Sequence, residues 1–95
     1  MNYFLYILKT TKNTLYTGIA TNPLERFQKH LNGIGAKYTR AFKPEKIVYL
    51  REFEDKSDAH REEIRIKKKL NRNQKDLLIK DNEQNTSSLI QKLSP

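Results

Sequence analysis

Two short runs dominated by aromatic and aliphatic side chains, Tyr3–Lys9 and Leu15–Ala20, are separated by only five polar residues, Thr10–Thr14. Runs of six or seven residues rich in Tyr, Phe, Ile and Leu suit strands, and a linker this short joins them as an antiparallel hairpin. The first run is apolar at successive positions, as in a strand buried on both faces. Each run carries a tyrosine, Tyr6 and Tyr16. If paired residue numbers sum to an even number near 22, the two tyrosines lie opposite each other on one face, a register the sequence alone does not settle. A one-residue slip sends them to opposite faces. Gly18 interrupts the second run; glycine weakens a strand and marks a place where another group comes close.

The chain then turns helical. Asn22 can cap, Pro23 suits the first turn, and Glu25 completes a box-like start. Leu24, Phe27 and Leu31 recur at helical spacing as a core stripe, and Gly33 is a natural stop. Gly33–Lys43 reads as a loop containing Lys37, Tyr38, Arg40 and Lys43, closed by Pro44. Lys46–Phe53 is a third strand. Ser57 is a cap candidate for a helix over Asp58–Leu70, Asn71 breaks that pattern, and Gln74–Lys80 forms another short helix. From Asp81 to Pro95 the chain is rich in Asn, Gln and Ser. That composition predicts a mobile polar tail, with Leu89, Ile90 and Leu93 able to form a docking turn. No internal repeat is present.

Composition narrows the function classes. Ninety-five residues accommodate one core, and 36% hydrophobic against 32% charged residues is polar but periodic, which argues against disorder. The absence of cysteine excludes disulfides and thiolate metal sites and suits a reducing cytoplasm. The longest apolar stretch, Tyr3–Leu8, is too short to span a bilayer and lacks the flanks of a signal peptide. The net charge is +8, with 19 Lys and Arg against 11 Asp and Glu. Arg61–Lys75 holds seven basic and two acidic residues. A polyanion, most often nucleic acid, is the partner such a balance favours over a membrane surface.

Several residues carry chemistry. On a helical wheel Ala59, Ile66 and Leu70 share the stripe that meets the sheet, and Glu63 falls in its middle. A carboxylate there needs a counter-charge: a structural ion pair, or a hard divalent ion such as Mg²⁺. Glu62 points off the stripe, and His60 reads as plain surface. Arg26 and His30 stand four apart on a face away from Leu24. Together they could grip a phosphate and relay a proton, or simply form a solvated face.

The order of these residues is more specific than any one of them. Phe4-Leu5-Tyr6, Tyr16-Thr17-Gly18 ten positions on, Asn22-Pro23-Leu24-Glu25-Arg26 with His30, and Ser57-Asp58-Ala59 through Glu63 to Ile66-Lys67-Lys68 resemble the GIY-YIG nuclease superfamily. The similarity is greatest to its small stand-alone bacterial members, relatives of the nuclease domain at the N-terminus of a DNA-repair excinuclease. It covers about residues 3–80. One departure is that Lys75 stands where many members have asparagine, with Asn71 and Asn73 nearby.

The resemblance implies an α/β (α+β) domain over residues 1–80, a small three-stranded antiparallel sheet flanked by helices. It implies an endonuclease that hydrolyses nucleic-acid phosphodiesters, with DNA the foremost substrate and DNA repair or processing the setting. Tyr6, Tyr16, Arg26 and His30 would be catalytic, Glu63 would hold Mg²⁺ or Mn²⁺, and Gly18 would be structural at the site. Arg26 would stabilise developing phosphoryl charge, and Tyr16 or Tyr6, helped by His30, would orient or deprotonate the water. A tyrosine used as a base needs nearby cations, because its ordinary pKa is about 10. Lys37, Arg40, Lys43, Lys67, Lys68 and Lys69 would grip the backbone electrostatically. The alternative is a non-catalytic nucleic-acid-binding module or an accessory partner of a nuclease.

Overall fold

The computed structural model describes residues 1–95. Strands β1 (Tyr3–Thr10) and β2 (Leu15–Ala20) form the expected hairpin, and β3 (Pro44–Phe53) pairs with the other edge of β1. All pairings are antiparallel and the order is β2-β1-β3, so the first strand in the chain is the central one. The hairpin closes tightly: Thr10 N–H donates to the Thr14 carbonyl at 2.9 Å, and Asn13 takes the left-handed conformation at φ 62°. The Arg72 guanidinium grips that turn, reaching the Asn13 carbonyl at 2.6 Å and its Oδ1 at 3.1 Å.

The register, left open by the sequence, is an even one in which paired numbers sum to 24. Tyr6 lies opposite Gly18, and Tyr16 lies opposite Leu8. The two tyrosines share a face as diagonal neighbours, with ring centroids 6.3 Å apart. The physical reason is room. A Cβ at position 18 would stand 2.5 Å from Tyr6 Oη and 2.6 Å from its Cζ, so the Tyr6 ring lies where only glycine leaves space.

Five helices complete the fold: α1 (Pro23–Leu31), α2 (Lys37–Ala41), α3 (Lys56–Lys69), α4 (Arg72–Asp81) and α5 (Glu83–Leu93). They divide the core in two. Phe4, Tyr6 and Leu8 of β1 pack with Leu50 and with Phe27 of α1 and Leu89, Ile90 and Leu93 of α5. Leu5 and Ile7 point the other way, against Tyr49, Ile66 of α3 and Leu78 and Ile79 of α4. No helix is long and apolar enough to cross a membrane.

Four local expectations change. Asp55, not Ser57, caps α3, accepting from Ser57 N–H at 2.8 Å; a charged cap at a helix N-terminus also suits its dipole. Asn71 is not merely a breaker. It forms a reciprocal capping box with Gln74, each side chain 2.9 Å from the other's backbone N–H, and starts α4 two residues earlier. The segment Gly33–Lys43 is not all loop, because Lys37–Ala41 makes one turn of helix. The segment 81–95 is not only a tail with a docking turn. It carries the eleven-residue α5, which buries Thr86 and Leu89. Leu50 N–H on the outer strand donates to Thr86 Oγ1 at 3.0 Å, and Asn82 Nδ2 donates to the Leu50 carbonyl at 2.9 Å.

Candidate active site

His30 is the residue whose placement departs most from the helical wheel. The stripe of Leu24, Phe27 and Leu31 leaves it outside, yet it is 1% exposed while Leu24 and Leu31 are only half-buried. The helix instead turns Pro23, Phe27 and His30 inward. His30 can be buried because both ring nitrogens have partners. Nε2 lies 2.9 Å from Tyr6 Oη, and Nδ1 lies 2.7 Å from Thr39 Oγ1. Gly35 makes room for the ring, since a Cβ there would collide with Nδ1 and the carbons beside it. No buried side-chain nitrogen or oxygen lacks a partner.

Tyr16 packs edge-on against His30 at 5.1 Å between centroids, and Tyr38 stacks on Tyr16 at 5.7 Å. Tyr6 is 2% exposed, whereas Tyr16 is only half-buried. Burial pushes the Tyr6 phenol well above its ordinary pKa, Tyr16 and Glu63 add to the rise, and Arg26 opposes it. Burial, and then Arg26, hold His30 below the ordinary histidine value. Arg26 of α1 and Glu63 of α3 come from helices on opposite faces of the sheet, yet both act on the Tyr6 hydroxyl. That hydroxyl projects across Gly18 of the edge strand β2, where the two sides meet.

Arg26 is exposed and makes no ion pair within the chain. Glu63 is 15% exposed; its Oε2 lies 3.0 Å from Lys67 Nζ and its Oε1 3.4 Å from His60 Nδ1. His60 is therefore a neighbour of the carboxylate rather than plain surface. Glu62, expected to need no explanation, is buried to the same degree at 14% exposed. It accepts from Arg51 at 3.1 Å and from Arg65 Nε at 2.5 Å, and the Arg65 bond holds its carboxyl below the usual range.

The family model of the GIY-YIG catalytic domain matches residues 2–76. The chain belongs to that family. Members of the GIY-YIG family have nuclease-like activity. The chain is 52% identical over 79 residues to the UPF0213 protein CPE1444 of Clostridium perfringens, covering 83% of each. It is 46% identical over 66 residues to the UPF0213 protein H16_B0156 of Cupriavidus necator, covering 70% of this chain and 72% of that one. The solution NMR structure of the UPF0213 protein BH0048 from Bacillus halodurans shares 37% identity at a TM-score of 0.58, with 87% of each chain covered. The three-stranded sheet and its helices are thus the fold of the family.

Within this GIY-YIG domain, Tyr6, Tyr16 and His30 are in contact, with Gly18 beneath Tyr6. Arg26 and Glu63 bear on them through their charge. Lys37, Arg40, Lys43, Lys67, Lys68 and Lys69 are exposed. Lys37 and Arg40 ride on α2, and the three consecutive lysines end α3; Lys67 is engaged with Glu63. At the position of the family asparagine, Lys75 lies half-buried on α4, and Asn71 is taken up by capping. Thr39 and Gly35 escaped the sequence reading. The run Gly33-Ile34-Gly35, in reach of a histidine just upstream, was the available signal for Gly35; nothing local distinguished Thr39.

Glu63 is a hard oxygen donor, the kind Mg²⁺ and Mn²⁺ take. No group of three or more His, Cys, Asp and Glu side chains gathers there or elsewhere. Such a donor set suits an ion held by one carboxylate together with water and phosphate oxygens. It does not suit a cage built from protein alone.

Proposed function

We propose that this protein is a divalent-metal-dependent endonuclease hydrolysing nucleic-acid phosphodiesters, with DNA as substrate, in cytoplasmic DNA repair or processing. The observation that most supports it is the Tyr6 hydroxyl, bonded to buried His30 and subject at once to Arg26, Tyr16 and Glu63. Packing alone needs no such conjunction of a free arginine and a carboxylate around a buried tyrosine–histidine pair.

The roles divide by exposure. Tyr6 is not the base: it is shut off from water, and its raised pKa keeps it protonated at neutral pH. Tyr16, half-buried and packed on His30, orients the attacking water, while Tyr6 and His30 support it from below. Arg26 stabilises charge developing on the phosphoryl oxygens. Glu63 would hold Mg²⁺ or Mn²⁺, which when bound would supply Lewis-acid stabilisation of developing negative charge. The exposed lysines and Arg40 bind phosphates without reading bases, so affinity falls steeply with salt.

A second reading, a nucleic-acid-binding module without cleavage, draws on Lys67. Its ammonium already neutralises Glu63, as in a structural ion pair. One experiment separates the two. Branched, single-stranded and duplex DNA, and RNA, are incubated with Mg²⁺ or Mn²⁺ and with wild type or Glu63→Gln. Metal-dependent nicking by wild type and its loss in the variant are expected. Thermal stability should change by less than about 1 kcal/mol, because Lys67 and His60, at 48% and 62% exposed, are not stranded in the interior. Failure of wild type to cut any substrate, with salt-sensitive binding intact, would leave the binding module.

A further inference from the structure

The buried contacts of His30 continue beyond its ring. Thr39 Oγ1 lies 3.1 Å from the Ala36 carbonyl, which can only accept and which also accepts from Arg40 N–H at 3.2 Å. A hydroxyl proton directed to that carbonyl leaves Thr39 Oγ1 to meet His30 Nδ1 at 2.7 Å as an acceptor, the arrangement that puts the ring proton on Nδ1. Burial and Arg26 disfavour the charged ring, and in the neutral Nδ1–H form Nε2 is a bare lone pair. At 2.9 Å from Tyr6 Oη, that lone pair accepts a hydrogen bond from the phenol O–H. In this arrangement the chain from Tyr6 through His30 and Thr39 to Ala36 has one polarity, ending on a backbone carbonyl.

We propose that Thr39 is a positioning residue that fixes His30 as its Nδ1–H tautomer and so makes the Tyr6 hydroxyl a donor toward the interior. The lone pairs of the Tyr6 oxygen are then left to accept on the side of Tyr16 and Arg26. The opposite tautomer would reverse every bond: Nε2–H would donate to Tyr6, and the phenol proton would turn outward. Thr39 touches neither water nor phosphate in this scheme; it acts only through His30. It sits on α2, the turn of helix that also carries Tyr38 against Tyr16, so one short element fixes both the proton direction and the ring packing. The functional part of this inference rests on the nuclease reading. The tautomer does not.

The test reads the tautomer directly. The His30 ring nitrogens are observed by two-bond proton–nitrogen NMR in wild type, Thr39→Ser and Thr39→Val, beside a nicking assay. Wild type and Thr39→Ser should show protonated Nδ1 and bare Nε2, the reverse of the form histidine favours in water. Thr39→Val keeps the shape but removes the acceptor, so the ring should move to Nε2–H. Its turnover should fall on the order of 10–100-fold with KM for nucleic acid unchanged, while Thr39→Ser retains wild-type turnover. Nε2–H in wild type, or an unmoved tautomer in Thr39→Val, overturns the proposal whether or not the protein cuts. The wild-type spectrum decides this even if the valine variant fails to fold. A tautomer that moves as expected in a protein that cuts nothing supports the positioning role and overturns the nuclease reading alone. A moved tautomer with undiminished cleavage overturns the functional half of the proposal.

Discussion

Leu5 and Ile7 on one side of β1, and Phe4, Tyr6 and Leu8 on the other, are all closed to solvent, but against different neighbours. Leu5 and Ile7 meet Tyr49, Ile66 and the hydrocarbon of α3 and α4. Tyr6 meets a histidine and, through it, a threonine and a carbonyl. Burying hydroxyls and an imidazole is costly unless each atom is bonded, and an all-carbon filling of that space would hold the sheet as well. The first face therefore reads as scaffold, on which α3 carries Glu63 to the sheet edge, and the Tyr6–His30 part of the second face reads as machinery. Two adjacent carboxylates of α3 repeat the contrast. Glu62 is gripped by two arginines and ties helix to sheet, while Glu63 has partners that are half-exposed or more and is free to exchange them.

The largest expected effect lies on the scaffold face. Leu5→Ala removes a fully buried side chain and should lower unfolding free energy by about 2–5 kcal/mol. Cleavage per folded molecule should not change; denaturant titration beside a nicking assay checks both. A loss of specific activity would show that the two faces are not separable.

Gly18→Ala should act in the opposite sense. The new Cβ falls within van der Waals distance of the Tyr6 ring and forces it to move, at about 1–3 kcal/mol of stability. Cleavage should fall far more than that stability loss predicts, because displacing Tyr6 breaks its bond to His30. Unimpaired cleavage with a shifted Tyr6 would remove that tyrosine from the machinery.

The smallest effects separate the faces by pH. His30 has a folded pKa below its ordinary 6.5, so the unfolded chain takes the proton first. The stability this neutral ring contributes is complete above about pH 6.5 and is lost as pH falls toward the folded value. Glu62 has a folded pKa below its ordinary 4.5, so its contribution is complete above that value and is lost at still lower pH. Melting temperature should therefore decline in two stages, the machinery face first. Glu62→Gln should abolish the lower stage, worth less than about 1 kcal/mol, and leave the upper one. A single stage that Glu62→Gln removes entirely would contradict the separation.

The sequence made the scaffold more legible than the machinery, and the reason is range. Strands and the start of α1 depend on neighbours a few residues apart: Asn22 accepts from Glu25 N–H at 3.2 Å, as the local pattern implies. The order of Tyr6, Tyr16, Arg26, His30 and Glu63 was visible as a family resemblance. What escaped depends on distant partners. His30 looked solvated because its wheel position is judged against the apolar stripe of its own helix, whereas its burial is licensed by Tyr6, 24 residues away, and by Thr39. The helix α5 was hidden by a polar composition that belongs to its exposed side. Its inward residues, Thr86 and Leu89, make sense only against β3. The hairpin register was left open by the sequence, because tyrosine opposite tyrosine is one even pairing among several, while the ring needs a glycine opposite it.

The bonds from Thr86 and Asn82 to Leu50 lie on an outer strand. A hydroxyl and a side-chain amide there stand in for the peptide group of a fourth strand. Without them, Leu50 would offer an unpaired donor and acceptor to any extended segment, including the same strand of another copy. The C-terminal helix, beyond the residues that match the family domain, thus covers at Leu50 the backbone groups through which an open sheet edge would accept another strand.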